Sequence, residues 1–471
     1  MTRVDTIIVG AGTAGLSALR EVRRHTEDVL LINDGHWGTT CAANGCMPSK
    51  ALIEAANAFH RRHAMESFGI RGTDALRADI PAVLAHVRKL RDSFVAGPES
   101  VPEKLGARAI YGRARLDGPD CVTANGDRIQ ARAIILAPGS RPIVPKPWAE
   151  FGERILTPDS LFEQTDLPRR IAVVGMGAIG AEIAQALARL GMTVAGFDAA
   201  EGLAGIDDAQ VLAAFQPLLE RDISLHLGAP AELEAVDGAI RVTGAGAPFM
   251  ADAVLAAMGR RPNVDDLGLE TLGVPLDDDG LPELDPSTLR IGDLPVFLAG
   301  DAYPYRALQH EAADEGHIAG RNAAPDGAAR SHCRRTPLFI VFASPQVARV
   351  GQPLSDLQDT QIVSAEADFS RQGRARIKAQ AEGVLRIHAA LPDGRILGAE
   401  MCVPGAEHLA HLLALAIERG LTVSEMLAMP FYHPALEEGL RGALRQLQKD
   451  LPVEAGSDLS GCESIGHDAL D

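Results

Sequence analysis

The sequence predicts an α/β protein built on two strand–glycine-loop–helix units, with a further α/β segment behind them. Three observations predict it. Residues 5–9 form a short β-branched run that enters Gly10-Ala11-Gly12-Thr13-Ala14-Gly15 and then a helical stretch, 16–25, before a second strand at 29–32. The same order recurs: strand 171–174, Gly175-Met176-Gly177-Ala178-Ile179-Gly180, helix 181–190 and strand 193–197. From Thr336 onward the pattern changes.

Each glycine loop has the context that a dinucleotide fingerprint requires. Gly10 and Gly175 make the turn, Gly12 and Gly177 admit a pyrophosphate, and Gly15 and Gly180 let the helix pack on the strand. The helix N-terminus then faces the phosphates. Asn33 and Asp198 stand at the ribose-reading position, at one spacing from the first glycine of each loop. Two fingerprints in one chain imply two dinucleotides, such as a flavin and a nicotinamide. Two tight turns with no ligand are the plainer alternative.

Composition excludes several classes. A formal net charge of −18 over 471 residues argues against nucleic acid and anionic membrane surfaces. No run of about eighteen apolar residues occurs, so no span is expected. The N-terminus leads straight into a strand, so no signal peptide is expected. Six cysteines in so long a chain are not a disulfide scaffold. Cys121, Cys333, Cys402 and Cys462 are expected to be free thiols in a reducing cytoplasm. No metal site is expected.

The remaining two cysteines share the stretch Gly38-Thr39-Thr40-Cys41-Ala42-Ala43-Asn44-Gly45-Cys46-Met47-Pro48-Ser49-Lys50. On an ideal helix Cys41 and Cys46 would lie roughly 7.5 Å apart along the axis, on different faces. A disulfide needs closer, convergent partners, so the pair could close only on a distorted helix. Gly45 supplies backbone freedom, and Pro48 cannot donate to the carbonyl of Asn44. A redox disulfide and two buried free thiols both remain open on these residues.

This segment resembles the redox-active stretch of the FAD-dependent pyridine nucleotide–disulfide oxidoreductases, class I, and the resemblance covers about residues 4–449. Its wording is most like the dihydrolipoyl dehydrogenase branch. The resemblance implies two Rossmann-like nucleotide-binding domains, for FAD and NAD, plus an α/β dimerisation domain. The FAD domain is expected at 1–150 and 264–330, the NAD domain at 151–263 and the dimerisation domain at 336–449. Residues 450–471, acidic and bearing Cys462, are expected to be a disordered tail.

Further motifs carry the resemblance. Ile-Ile-Leu-Ala-Pro-Gly-Ser at 134–140 replaces an Ala-Thr-Gly turn, with Pro138 as a departure and Gly139 kept. Gly259, within 258–263, marks the return from the NAD domain. Phe-Leu-Ala-Gly-Asp at 297–301 ends in Asp301, which the resemblance places on the flavin's ribityl chain. Thr40, Lys50 and His310 are likewise implied at FAD, His310 through backbone amides at a helix start. Gln346 stands where many relatives carry Glu. Pro-Phe-Tyr-His-Pro at 430–434, with Glu438 five residues after His433, resembles the family's base motif. Histidine can move a thiol proton near neutrality, and a carboxylate would orient it.

The resemblance also implies roles. Cys41 meets the substrate, Cys46 lies against the flavin, and Lys50 pairs with Glu182. His433 and Glu438 reach the disulfide of the other subunit of a homodimer. The implied substrate is a lipoyl-bearing protein or a small dithiol or disulfide. Alternatives are a glutathione reductase-like enzyme, with Arg20 near the peptide site, and a flavin-bound redox sensor without efficient turnover. Asp198, the acidic stretch 199–208 and its lack of arginine favour NAD over NADP. Asn33 in place of a carboxylate is expected to hold FAD less tightly than Glu would.

Overall fold

The structure, a computed structural model, describes residues 2–325 and 329–452. The expectation for Cys462 and most of the tail lies outside these residues. Residues 450–452 differ from expectation. The last helix, Glu437–Asp450, runs through Asp450, and Leu451 is buried against the interface core because its side chain fills the space over Gly394.

The first sheet has nine strands. Its centre is Thr2–Val9, flanked in parallel by Val29–Asn33 and Asp127–Leu136, with Val296–Leu298 beyond the latter. Ile7, Ile8, Leu31, Ile134 and Ile135 are fully buried, as strands covered on both faces require. The fingerprint helices start earlier than expected, at Thr13 and Ala178, because Gly12 and Gly177 themselves are the N-caps.

A second, five-stranded sheet repeats the plan. Arg170–Val174 lies between Thr193–Asp198 and Ala253–Ala256, all parallel. In both sheets the strand before the glycine loop is tied at its end to a neighbour: Ala137 N–H donates to Val9 O (2.8 Å) and Ala257 N–H to Val174 O (2.7 Å). This strand order brings loops from distant parts of the chain to one carboxyl edge, where ligands bind in such sheets.

The third sheet, Leu338–Val341, Gln346–Gly351, Ile362–Asp368, Val384–Ala390 and Ile396–Val403, is wholly antiparallel. Helices Ala406–Glu418 and Glu437–Asp450 cover it, closing a core of their own. Gln346 exchanges hydrogen bonds with Glu407 (3.2 and 3.3 Å), so a glutamate at 346 would place two carboxylates together.

The helix Cys46–His60 links the cores. Leu52, Ile53 and Ala56 pack in one cluster with Ile183 and Leu187 of the second fingerprint helix. Arg189 donates to Asn57 Oδ1 (2.8 Å). The cysteine segment is thereby held against the second nucleotide unit.

Candidate active site

Cys41 and Cys46 are not on one helix. Cys41 lies in the short helix Thr40–Ala43, whose Thr39 cap accepts from Ala42 N–H (3.0 Å). The chain breaks at Gly45 (φ −116°, ψ −112°), and a new helix begins at Cys46. A Cβ on Gly45 would stand 3.0 Å from Thr40 O and 3.2 Å from Cys41 Cα, so glycine lets the turn fold onto Cys41. The expected role of Pro48 is corrected. It falls in the first turn of the new helix, where its missing N–H would have had no partner.

The two thiols are neighbours with unlike properties. The Cys41 thiol donates to Cys46, which pushes the Cys41 pKa far up and draws Cys46 down from 9.0 to about 7. The Lys50 charge favours the Cys46 thiolate further, against burial and the Glu182 carboxylate. Cys46 also opens a helix, where the dipole favours an anion. So of the two sulfurs Cys46 is the one that favours the thiolate. Cys121 and Cys402 are buried and Cys333 exposed, all free.

Lys50 and Glu182, far apart in sequence, meet here. Lys50 Nζ donates to Glu182 at 2.8 and 3.1 Å. Glu182 is 4% exposed and also accepts from Phe342 N–H (2.7 Å), while Lys50 lies over the Phe342 ring. The carboxylate is thus fixed by the interface segment, and it fixes the ammonium.

A cleft of about 1020 Å³, partly open to solvent, gathers these groups with the glycine loop. Gly12, Thr40, Cys41, Cys46, Lys50 and Asp301 all line it. So do Gly139 and Glu182. A second space of about 1130 Å³ lies across the loop, against Gly10, Asn33 and Pro138. Two ends joined over a glycine loop suit a dinucleotide. Gly10 and Gly15 are closed by backbone, since a Cβ on either would fall about 2 Å from a carbonyl oxygen, whereas nothing lies within 4 Å of one on Gly12. The second loop repeats this: Gly175 and Gly180 are closed and Gly177 is open. These residues fit FAD in the first unit.

Asp301 is held by residues that the sequence reading missed. Ser140 Oγ donates to Asp301 (2.9 Å), and Arg260 Nε donates to Ser140 Oγ (2.8 Å). Glu315, its pKa raised by burial, accepts Gly300 N–H (2.7 Å) and pairs with Arg334. Asn263 ties Pro138 O and Gly139 O to the returning segment. Gly259 (φ +93°) turns the chain into that segment. Their signal was a polar residue beside each motif, with no local partner.

Asn33 accepts Ala11 N–H (3.1 Å) and gives both amide protons to Gly35 O and His36 O (3.0 and 3.1 Å). A glutamate would face those carbonyls with lone pairs, so the expected gain from a carboxylate is opposed by the loop. Asp198 does the matching work in the second unit, accepting Met176 N–H (2.6 Å) and Ala200 N–H (2.9 Å). The acidic stretch after it is not all directed at a ribose. Asp208, 1% exposed, pairs with Arg386 (3.0 Å), and Asp207 accepts Ser355 N–H. Their charges belong to the junction with the third sheet.

His310 is exposed and does not line the cleft, whereas Gln309, at the helix start, does. His433 Nδ1 bonds Glu438 at 3.0 and 3.2 Å, which lowers the Glu438 pKa. The His433 side chain is 81% exposed and is absent from the lining of the cysteine cleft. A base intended for a sulfur in the same chain would not be placed so.

Comparison with known proteins places the chain in a family. The family described as pyridine nucleotide-disulphide oxidoreductase matches residues 4–316, and its dimerisation domain matches 338–444. The dihydrolipoyl dehydrogenase of Geobacillus stearothermophilus is 30% identical over 92% of this chain and 94% of its own length. That of Halobacterium salinarum is 31% identical over 93% and 94%. Similar solved structures include LpdA from Mycobacterium tuberculosis (TM-score 0.81, 25% identity, 95% of this chain and 100% of that one). The HOCl-induced flavoprotein disulfide reductase RclA from Escherichia coli, as a Cu(II) complex, superposes with a TM-score of 0.82 at 21% identity, over 95% and 100%.

Proposed function

Because the chain belongs to the pyridine nucleotide–disulphide oxidoreductase family, we propose that it oxidises dihydrolipoyl groups with NAD through a Cys41–Cys46 disulfide. It is a flavin-dependent disulfide oxidoreductase, its cofactors are FAD and NAD(H), and its dimerisation domain supports a homodimer. Among the described residues no helix is long and apolar enough to cross a membrane. The proposed division is FAD domain at 1–150 and 264–330, NAD domain at 151–263 and interface domain from 336.

The observation that carries the reading is the unlike thiol pair lining one cleft with Gly12, Lys50 and Asp301. The overall reaction is R(SH)2 + NAD+ → RS2 + NADH + H+. Bound FAD supplies the two-electron relay between the thiol pair and the nicotinamide. In the disulfide form, a substrate thiolate attacks the Cys41 sulfur and expels Cys46, the better leaving group because its thiolate is the more stable. His433 of the partner subunit takes the substrate proton, and its own Glu438 steadies the charged ring. The second substrate thiol then attacks the substrate sulfur of the mixed disulfide, its proton passes to the departing Cys41 sulfur, and the site is left with a Cys41 thiol, a Cys46 thiolate and the first proton on that histidine. Lys50 would face the flavin edge, its ammonium held by Glu182.

Steady-state turnover with dihydrolipoamide and NAD tests the reading, with glutathione disulfide and NADPH as the contrast. Faster turnover of the second pair would overturn it in favour of a glutathione reductase-like activity.

A further inference from the structure

The third sheet reaches the redox site through the turn between Leu338–Val341 and Gln346–Gly351, which crosses to the second fingerprint helix, Ala178–Arg189. Val341 and Ala343 are buried there with Ile183 and Leu187, although Ala348 and Val350 on the next strand belong to the core of the third sheet. The helix holds the turn with residues on one face: Glu182, Gln185 and Arg189. Gln185 accepts Ser344 N–H (2.7 Å) and donates to Ser344 O (2.9 Å), and Arg189 donates to the same oxygen (3.2 Å). Glu182 accepts Phe342 N–H (2.7 Å).

These bonds aim the Phe342 ring at Lys50, whose Nζ stands 4.8 Å from the ring centroid. Lys50 lies four residues after Cys46 on one helix, hence on the same face. Its side chain is 31% exposed, so water competes for the ammonium. The bonds to Glu182 fix how far the ammonium stands from one carboxylate, but a lysine stem is flexible and its donors rotate. The ring bounds another side. It covers the ammonium with an apolar face whose quadrupole attracts a cation.

We propose that Phe342 is a positioning residue for Lys50: its ring keeps the ammonium where its charge reaches the Cys46 sulfur. Phe342 does not itself line the cleft, so it acts through Lys50. The inference rests on the thiol pair of the proposed function; the identity of the substrate does not enter. The groups that weigh on the Cys46 charge are Cys41 through its hydrogen bond, Lys50 in favour of the thiolate and Glu182 against it. With the ring gone, the stem can follow Glu182 or water into the vacated space, and the balance at Cys46 shifts toward the thiol.

The test reads the pH midpoint of the thiolate–flavin band in the Cys41→Ser flavoprotein, with alkylation of Cys46 by iodoacetamide as a second readout that needs no turnover. Phe342→Leu keeps the apolar bulk and the backbone bonds but removes the aromatic face. It should raise the midpoint by about half a pH unit, ~0.7 kcal/mol, the size of a partly exposed cation–ring contact. Alkylation near neutral pH should slow about twofold with the thiolate fraction. Phe342→Tyr, which keeps the face, should leave the midpoint in place. In a Lys50→Met background Phe342→Leu should add nothing, because the ring has no cation left to place. An unchanged midpoint in Phe342→Leu, an equal shift in Phe342→Tyr, or the same shift without Lys50 overturns the inference and leaves the parent reading standing. A Cys41→Ser flavoprotein with no band at any pH overturns both.

Discussion

Replacing Cys41 by serine or by alanine probes how the thiol pair is wired. Cys46 is drawn from 9.0 to about 7, first by the hydrogen bond from Cys41 and then by the Lys50 charge, with burial opposing both. Two pH units amount to about 3 kcal/mol of preference for the thiolate. A hydrogen bond to a charged group contributes about 1.5–3 kcal/mol, enough to supply most of that preference. Cys41→Ser keeps a donor and Cys41→Ala removes it. In the FAD-loaded variants, thiolate–flavin charge-transfer absorbance reports the state of Cys46. With serine at 41 the band should grow as pH rises through about 7 and fade below it. With alanine the midpoint should move up by about one pH unit or more, ~1.4 kcal/mol. Lys50→Met should move it in the same direction. A band that survives in Cys46→Ser, or equal midpoints in the two Cys41 variants, would refute the reasoning.

Three further outcomes are expected. His433→Ala should lower dithiol oxidation by about two to four orders of magnitude and leave NADH reduction of ferricyanide nearly intact; mixing it with Cys41→Ser subunits should recover activity, because one site per mixed dimer is then whole. No recovery in verified heterodimers would place the base in its own subunit's site. NAD should exceed NADP in kcat/KM by at least about tenfold, since a carboxylate about 4 Å from a phosphate costs about 1–4 kcal/mol per unit charge, and Asp198→Ala should narrow the ratio; an NADP preference in the unaltered enzyme would contradict the ribose role of Asp198. Asn33→Glu should bind FAD no more tightly than the native protein, because it loses the bonds to Gly35 O and His36 O; flavin titration of the apoprotein measures this, and a tighter complex would show that ribose contacts outweigh the loop.

The sequence by itself determined what depends on neighbours along the chain. The glycine loops were legible because each glycine answers to a strand and helix on either side of it. The His433–Glu438 bond spans only five residues, yet it was the resemblance to the family's base motif that picked it out. Family resemblance supplied the Lys50–Glu182 pair, which no local spacing could reveal. Tertiary structure alone decided the rest. The order of parallel strands sets Gly10, Gly139 and Asp301 on one edge, and so recruits Ser140 and Arg260 to hold the aspartate. A carboxylate's charge is read from sequence, but its direction is not: Asp208 turns from the nucleotide loop to Arg386 because the third sheet packs there. The distorted single helix expected for the cysteines became two helices, because a break at Gly45 lets Cys46 start a helix and keep its thiolate at the helix's positive end.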